Sequence, residues 1–198
     1  MRERVSEITR TTGETSIAVR LNLDGQGRTS IETGLGFLDH MLDLLGHHSR
    51  IDLEIRAEGD LEVDDHHLVE DVGLALGQAL STALSEKKGI ERYGSALVPM
   101  DEVLVAAVVD LSGRPVYVSN YDPVRERVGE LSTEMVTHFF ASLAAEARLT
   151  LHLRVLEPGI NEHHRIEALF KGFARALRQA VKVDADASEE IPSTKGVL

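Results

Sequence analysis

Apolar and polar residues alternate over several short stretches of the chain. Ile17, Val19, Leu21 and Leu23 take every second position, as do Ile51, Leu53 and Ile55, and later Leu149, Leu151, Leu153 and Val155. A period of two places those side chains on one face of an extended strand, so each stretch predicts a half-buried β-strand. Elsewhere the period lengthens to three or four. Phe37, Met41, Leu44 and Leu45 carry it, as do Leu68, Val72, Leu76, Leu80 and Leu84. Met135, Phe139 and Leu143 follow, then Ile166, Leu169, Phe173, Leu177 and Val181. These spacings predict four helices, each with one apolar stripe. Strands with one apolar face and helices with one apolar stripe bury each other when the helices pack on one side of a sheet.

The pattern occurs twice. From His40 the chain reads HMLDLLGHHSRIDLEIRAEGDLEVDDHHLVEDVGLALGQAL, and from His138 it reads HFFASLAAEARLTLHLRVLEPGINEHHRIEALFKGFARAL. Upstream, Asp24, Gly27 and Arg28 match Asp110, Gly113 and Arg114 in a shared D-x-x-G-R. Each half therefore reads strand, Gly turn, strand, helix, strand, turn, helix. Chance likeness between two α/β stretches is common, but it does not put H-H-x-x-E, an upstream histidine and the Gly turn at matched points of both. A duplicated α+β fold is expected, each half a mixed sheet with helices packed on one face, the helices of both halves forming a shared core. Residues 1–91 make the first repeat, 92–183 the second, and 184–198 a C-terminal tail.

Composition narrows the function classes. The 198-residue chain is 42% hydrophobic and 27% charged, enough to bury a substantial core. A net charge of −12 gives no electrostatic support to nonspecific nucleic-acid or anionic-membrane binding, so neither partner is expected. The absence of cysteine removes disulfides, thiolate catalysis and sulfur-ligated metals, leaving His, Asp, Glu and water as metal donors. The N-terminal stretch is charged, without the apolar core of a secretory signal, and the apolar run from Val103 to Val109 is too short to span a bilayer. A cytoplasmic location is the expectation.

Of the nine histidines, six fall at matched positions: His40, His66 and His67 in the first half, His138, His163 and His164 in the second. Glu70 and Glu167 match as well. A lone histidine at a helix start is more often a hydrogen-bonded surface residue than a ligand, and His47 and His152, which lack repeat partners, read that way. No packing need explains the paired set. On a helix, residues four apart share a face while neighbours point about 100° apart. His66 and Glu70 can therefore grip one ion together, as can His163 and Glu167, with His67 and His164 turned elsewhere. Adjacent histidines aimed in different directions suggest two metals, or a metal shared with another subunit. Six His and two Glu supply four protein ligands to each of two ions. Imidazole and carboxylate without thiolate suit Mn, Fe, Co, Ni or Zn.

These stretches resemble the imidazoleglycerol-phosphate dehydratase family of histidine biosynthesis over nearly the whole chain. The resemblance is carried by TGLGFLDHML from Thr33, DDHHLVEDVGLALG from Asp64, MDE from Met100 and DLSGRP from Asp110. HFFASLA from His138, NEHHRIEALFKGFARALR from Asn161 and IPSTKG from Ile191 complete it. It implies a hydro-lyase that converts D-erythro-imidazole glycerol phosphate to imidazole acetol phosphate, with two Mn2+ ions per active site. It also implies a 24-subunit homo-oligomer built from trimers, with active sites between subunits. The implied metal ligands are His40, His66, His67, Glu70, His138, His163, His164 and Glu167.

The family reaction breaks a C–H bond with no carbonyl beside it. Two cations on the two ring nitrogens would turn the substrate's imidazole into imidazolate, which can expel the adjacent hydroxyl through a diazafulvene-like intermediate. Glu14 in TGETSI matches the family's catalytic glutamate, and His48 a position near the substrate. Arg92, Arg114, Lys171, Ser193 and Lys195 match its phosphate contacts. Asp39 and Asp71 read either as helix-start residues or as groups that orient imidazoles. A dinuclear phosphoester hydrolase and a metal-storage shell are the competing readings of the same residues.

Overall fold

The computed structural model describes residues 4–187 and 189–198. In the first half, β1 (Val5–Thr11), β2 (Thr15–Asn22), β3 (Thr29–Glu32), α1 (Gly36–Ser49), β4 (Asp52–Gly59) and α2 (His66–Leu84) follow in order. The second half has β5 (Tyr93–Met100), β6 (Val103–Asp110), β7 (Val116–Ser119), a small hairpin of β8 (Arg127–Val128) and β9 (Leu131–Ser132), α3 (Glu134–Ala147), β10 (Thr150–Glu157) and α4 (Glu162–Ala180). The first sheet runs β1-β2-β4-β3 and the second β5-β6-β10-β7. In each, the first three strands are antiparallel and the last pairs in parallel, β3 with β4 and β7 with β10. One topology is thus built twice, from segments with the same hydrophobic pattern.

All four helices and the alternating strands lie where the periodicity puts them. Ile17, Val19 and Leu21 of β2, Leu53 and Ile55 of β4, and Val105, Ala107 and Val109 of β6 point inward and are fully buried. Two strands were not legible. β1 buries a serine rather than an apolar residue, Ser6, whose hydroxyl donates to the carbonyl of Ala79 at 2.8 Å. β5 is an edge strand with Tyr93 and Leu97 exposed, so its pattern does not alternate cleanly. The β8–β9 hairpin is too short to show any period.

The helices of the two halves pack on each other: α2 lies against β1 and β2 but also against α3, and α4 against β5 and β6 but also against α1. The two sheets are therefore outer layers around a shared helical middle. Phe139, Phe140, Phe170 and Phe173 fill it, with ring centroids 4.7–5.7 Å apart. Gly73 and Gly77 let α2 approach α3 closely; a Cβ at Gly77 would stand 2.6 Å from the carbonyl oxygen of Leu143. Because α1 meets α4 and α2 meets α3, each repeat's histidine helices sit beside those of the other. No helix among the described residues is long and apolar enough to cross a membrane.

Candidate metal centre

Both H-H-x-x-E motifs start their helices. The Asp64 carboxylate accepts from the His66 backbone N–H at 2.8 Å, and the Asn161 side chain accepts from that of His163 at 3.0 Å, so each helix start is pinned by a residue two positions upstream. Asp65 accepts from the backbone and hydroxyl of Ser132, at 2.5 and 2.9 Å, which fixes the start of α2 against the start of α3. That contact brings His138 to His66.

Two clusters result, each with two imidazoles and one carboxylate whose ligand atoms lie within 4.8 Å of one another: His66, Glu70 and His138, and His40, His163 and Glu167. In the first, Glu70 lies 3.2 Å from His138 Nε2 and 3.7 Å from His66 Nε2. His138 Nε2 is buried and has no hydrogen-bond partner among the described residues. A buried nitrogen left open in front of a carboxylate and a second imidazole is a donor arrangement that a divalent cation satisfies. In the second cluster Glu167 lies 3.0 Å from His163 Nε2 and 3.6 Å from His40 Nε2. Burial opposes ionisation of Glu167, but its bonds to Lys171 and His163 outweigh that and hold its carboxyl below the usual range. The upstream histidine of each cluster comes from the opposite repeat, which sequence spacing alone does not show.

His67 and His164 point away from these clusters, as the helix geometry requires. His67 Nδ1 lies 3.1 Å from Asp60, and His164 Nδ1 lies 2.9 Å from Glu102. Each carboxylate orients a ring and leaves its Nε2 facing outward. The Glu102 carboxylate also accepts the backbone N–H groups of Ile160 and Asn161 at 3.1 and 3.0 Å. With the His164 bond as the main cause, these push it down to about 2, while Glu102 raises His164 and Asp60 raises His67. Asp60 and Glu102 were missed as site residues: Asp60 follows the end of β4, and Glu102, although within the MDE stretch, sits in a hairpin turn remote from the motif. Asp39 and Asp71 serve elsewhere: Asp39 accepts from Thr33, and Asp71 ties α2 to Arg10 and Thr15.

Glu14, in the β1–β2 turn, lies 3.8 Å from His67 Nε2. His48, at the end of α1, is pulled below the ordinary histidine value by burial and by nearby Lys171, His47 and Arg175. The five phosphate candidates separate into two places. Arg92 bonds Asp110 at 2.7 Å and the carbonyl of Pro192 at 2.8 Å, Arg114 lies 3.8 Å from the same Asp110, and Ser193 and Lys195 follow Pro192 in the tail. Lys171 instead pairs with Glu167 beside the second cluster. The Arg92 N–H bonds the carbonyl of Ala180, nine residues further along α4, which places the two groups about 13 Å apart.

Comparison with known proteins points to one family. A profile of the family Imidazoleglycerol-phosphate dehydratase matches residues 33–177. The imidazoleglycerol-phosphate dehydratase of Roseobacter denitrificans is 56% identical over 195 residues, 98% of this chain and 100% of that one. That of Acetivibrio thermocellus is 52% identical over 196 residues, 99% of this chain and 100% of its own. The crystal structure of the Staphylococcus aureus enzyme superposes with a TM-score of 0.82 at 42% identity, covering 91% of this chain and 99% of that one. The Pyrococcus furiosus enzyme, solved in complex with (S)-C348, gives 0.82 at 37% identity over 96% of this chain and 100% of its own. With likeness of this extent in sequence and fold, the chain belongs to the imidazoleglycerol-phosphate dehydratase family.

Proposed function

We propose that this hydro-lyase of histidine biosynthesis converts D-erythro-imidazole glycerol phosphate to imidazole acetol phosphate and water at a two-manganese site shared between subunits. The observation that carries the reading is the pair of His/His/Glu clusters, each one ligand short of four, beside two further histidines whose Nε2 atoms face away from them, with Glu14 and Asp101 near, at 3.8 and 3.7 Å. Reciprocal exchange closes both: His67 of one subunit completes the His40/His163/Glu167 cluster of its neighbour, and the neighbour's His164 completes the His66/Glu70/His138 cluster. The division into repeats 1–91 and 92–183 with a tail at 184–198 gives each subunit both halves of that exchange.

The donor set fits borderline divalent cations, and manganese suits a site with open positions for substrate. Held by the two His/His/Glu clusters and the exchanged histidines, such ions would favour the anionic form of a substrate imidazole and so the departure of the adjacent hydroxyl. The chain's own residues do the rest. Glu14, beside His67 but not turned into a cluster, takes the proton of the neighbouring C–H. His48, kept neutral by burial and nearby cations, assists as a proton carrier. Lys171 on one subunit and Arg92, Arg114, Ser193 and Lys195 on another hold the phosphate, which explains why a single chain keeps them apart.

Self-association has a second support. The outer face of the first sheet is covered by ion pairs, with Arg20 3.1 Å from Glu7 and 3.3 Å from Glu54. The second sheet instead exposes Leu97, Val108 and Val116. Apolar surface of that kind marks an interface, and we assign it to the 24-subunit assembly. The test is to strip the metal, add manganese and assay the product. Ketone formation without phosphate release supports the dehydratase; release of inorganic phosphate identifies a hydrolase instead, and high metal content without turnover a storage shell.

A further inference from the structure

We propose that Asp101, which stands in the turn of the second repeat that corresponds to the Glu14 turn of the first, is a second proton-transfer residue and carries the ketonisation half of the reaction. The placement follows from the topology. The β1–β2 turn of the first repeat corresponds to the β5–β6 turn of the second, because the two sheets have the same strand order. Glu14 stands in the first turn, 3.8 Å from His67 Nε2; Asp101 stands in the second, 3.7 Å from His164 Nε2. In both repeats the same imidazole is held from behind at Nδ1 by a different carboxylate, Asp60 or Glu102. Asp101 is thus the carboxylate on the open side of its histidine, 73% exposed and not needed to orient the ring. It sits at φ +48°, a left-handed conformation that Asp tolerates better than most side chains and that recurs at functional turns.

The proposal rests on the shared-site reading. If His67 of one subunit and His164 of its neighbour close the two clusters of one site, Glu14 and Asp101 enter that site together from opposite subunits. The reaction has two proton tasks. In the first, the Glu14 carboxyl gives its proton to the departing hydroxyl, which leaves as water, and then recovers a proton from the C–H bond as that breaks, giving an enol. In the second, the enol O–H bond breaks, its proton passes to the Asp101 carboxylate, and that proton then forms the new C–H bond at the carbon that lost the hydroxyl. Both carboxylates end as they began, and the net change is loss of one water.

The test uses the manganese-loaded, assembled enzyme with imidazole glycerol phosphate in D2O, the product being trapped by reduction within seconds. Asp101→Asn should lower kcat by about 10²–10⁴-fold, with KM within a few-fold and metal content and particle mass unchanged. Deuterium at the carbon beside the ring should take a single configuration in the native product and lose it in the variant, because the enol escapes and ketonises in solution. Asp101→Glu should restore part of both rate and configuration. Unchanged kcat with a single configuration would overturn the proposal, and so would loss of metal or particle in Asp101→Asn, which would make Asp101 a support for His164. The shared-site reading fails separately, by a fully active single chain that never assembles.

Discussion

Neighbouring histidines on a helix cannot serve one centre, and that single fact made most of the site legible. His66 with Glu70 and His163 with Glu167 are local, four residues apart, so their partnership follows from helix geometry alone. The groups that orient His67 and His164 were hidden, because Asp60 and Glu102 come from other elements; Glu102 lies in the MDE stretch that carries the resemblance, but nothing there points to His164. Glu14 was legible only through the family resemblance; alone it is one acidic residue in a polar turn. We expect Glu14→Gln to keep metal and assembly while losing turnover about 10²–10⁴-fold, measured by product formation beside metal analysis. The His164–Glu102 pair gives a pH-dependent signature in the metal-free protein. Glu102 favours the protonated imidazole, so His164 titrates above the ordinary value, and the pair's contribution is complete below that value and lost as pH rises through the raised one. On the acid side Glu102, held down to about 2, stays ionised until its contribution fades between the ordinary carboxylate range and that value. Glu102→Gln should return His164 towards ordinary titration, read by NMR of the imidazole protons.

At the level of elements, hydrophobic period located all four helices because each buries a continuous stripe. It located the strands that bury apolar residues and missed β1, whose inward positions include Ser6 and Arg10. The pairing of α1 with α4 and α2 with α3 was expected only as a shared core, since periodicity says which face is buried and not against which partner. Gly77 tests that pairing. In an isolated helix Ala is favoured over Gly by about 1 kcal/mol, but here a Cβ would meet the Leu143 carbonyl at 2.6 Å and the Ala147 nitrogen at 3.0 Å. Backbone atoms cannot step aside cheaply, so the steric term wins. Gly77→Ala should destabilise by about 1–3 kcal/mol and lower the midpoint of thermal unfolding; a gain in stability would mean that α2 and α3 do not approach this closely.

For the whole molecule, duplication explains why one chain carries two incomplete clusters and two spare histidines. On the proposed exchange a monomer satisfies neither, so metal binding and assembly should be one equilibrium, each strengthening the other. His66→Ala or His163→Ala should therefore weaken metal retention and shrink the particle together, seen by metal analysis and light scattering on the same sample. Subunit number was not legible from patterning, because periodicity describes what a chain buries in itself, whereas the exposed Leu97, Val108 and Val116 speak only of what it leaves uncovered. The most direct measurement is a manganese titration of the metal-stripped chain with bound metal, particle mass and dehydratase rate followed together. We expect all three to rise in step and level off at two ions per chain. Two tightly bound ions and full activity on a particle that remains a single chain would contradict the exchange of histidines between subunits.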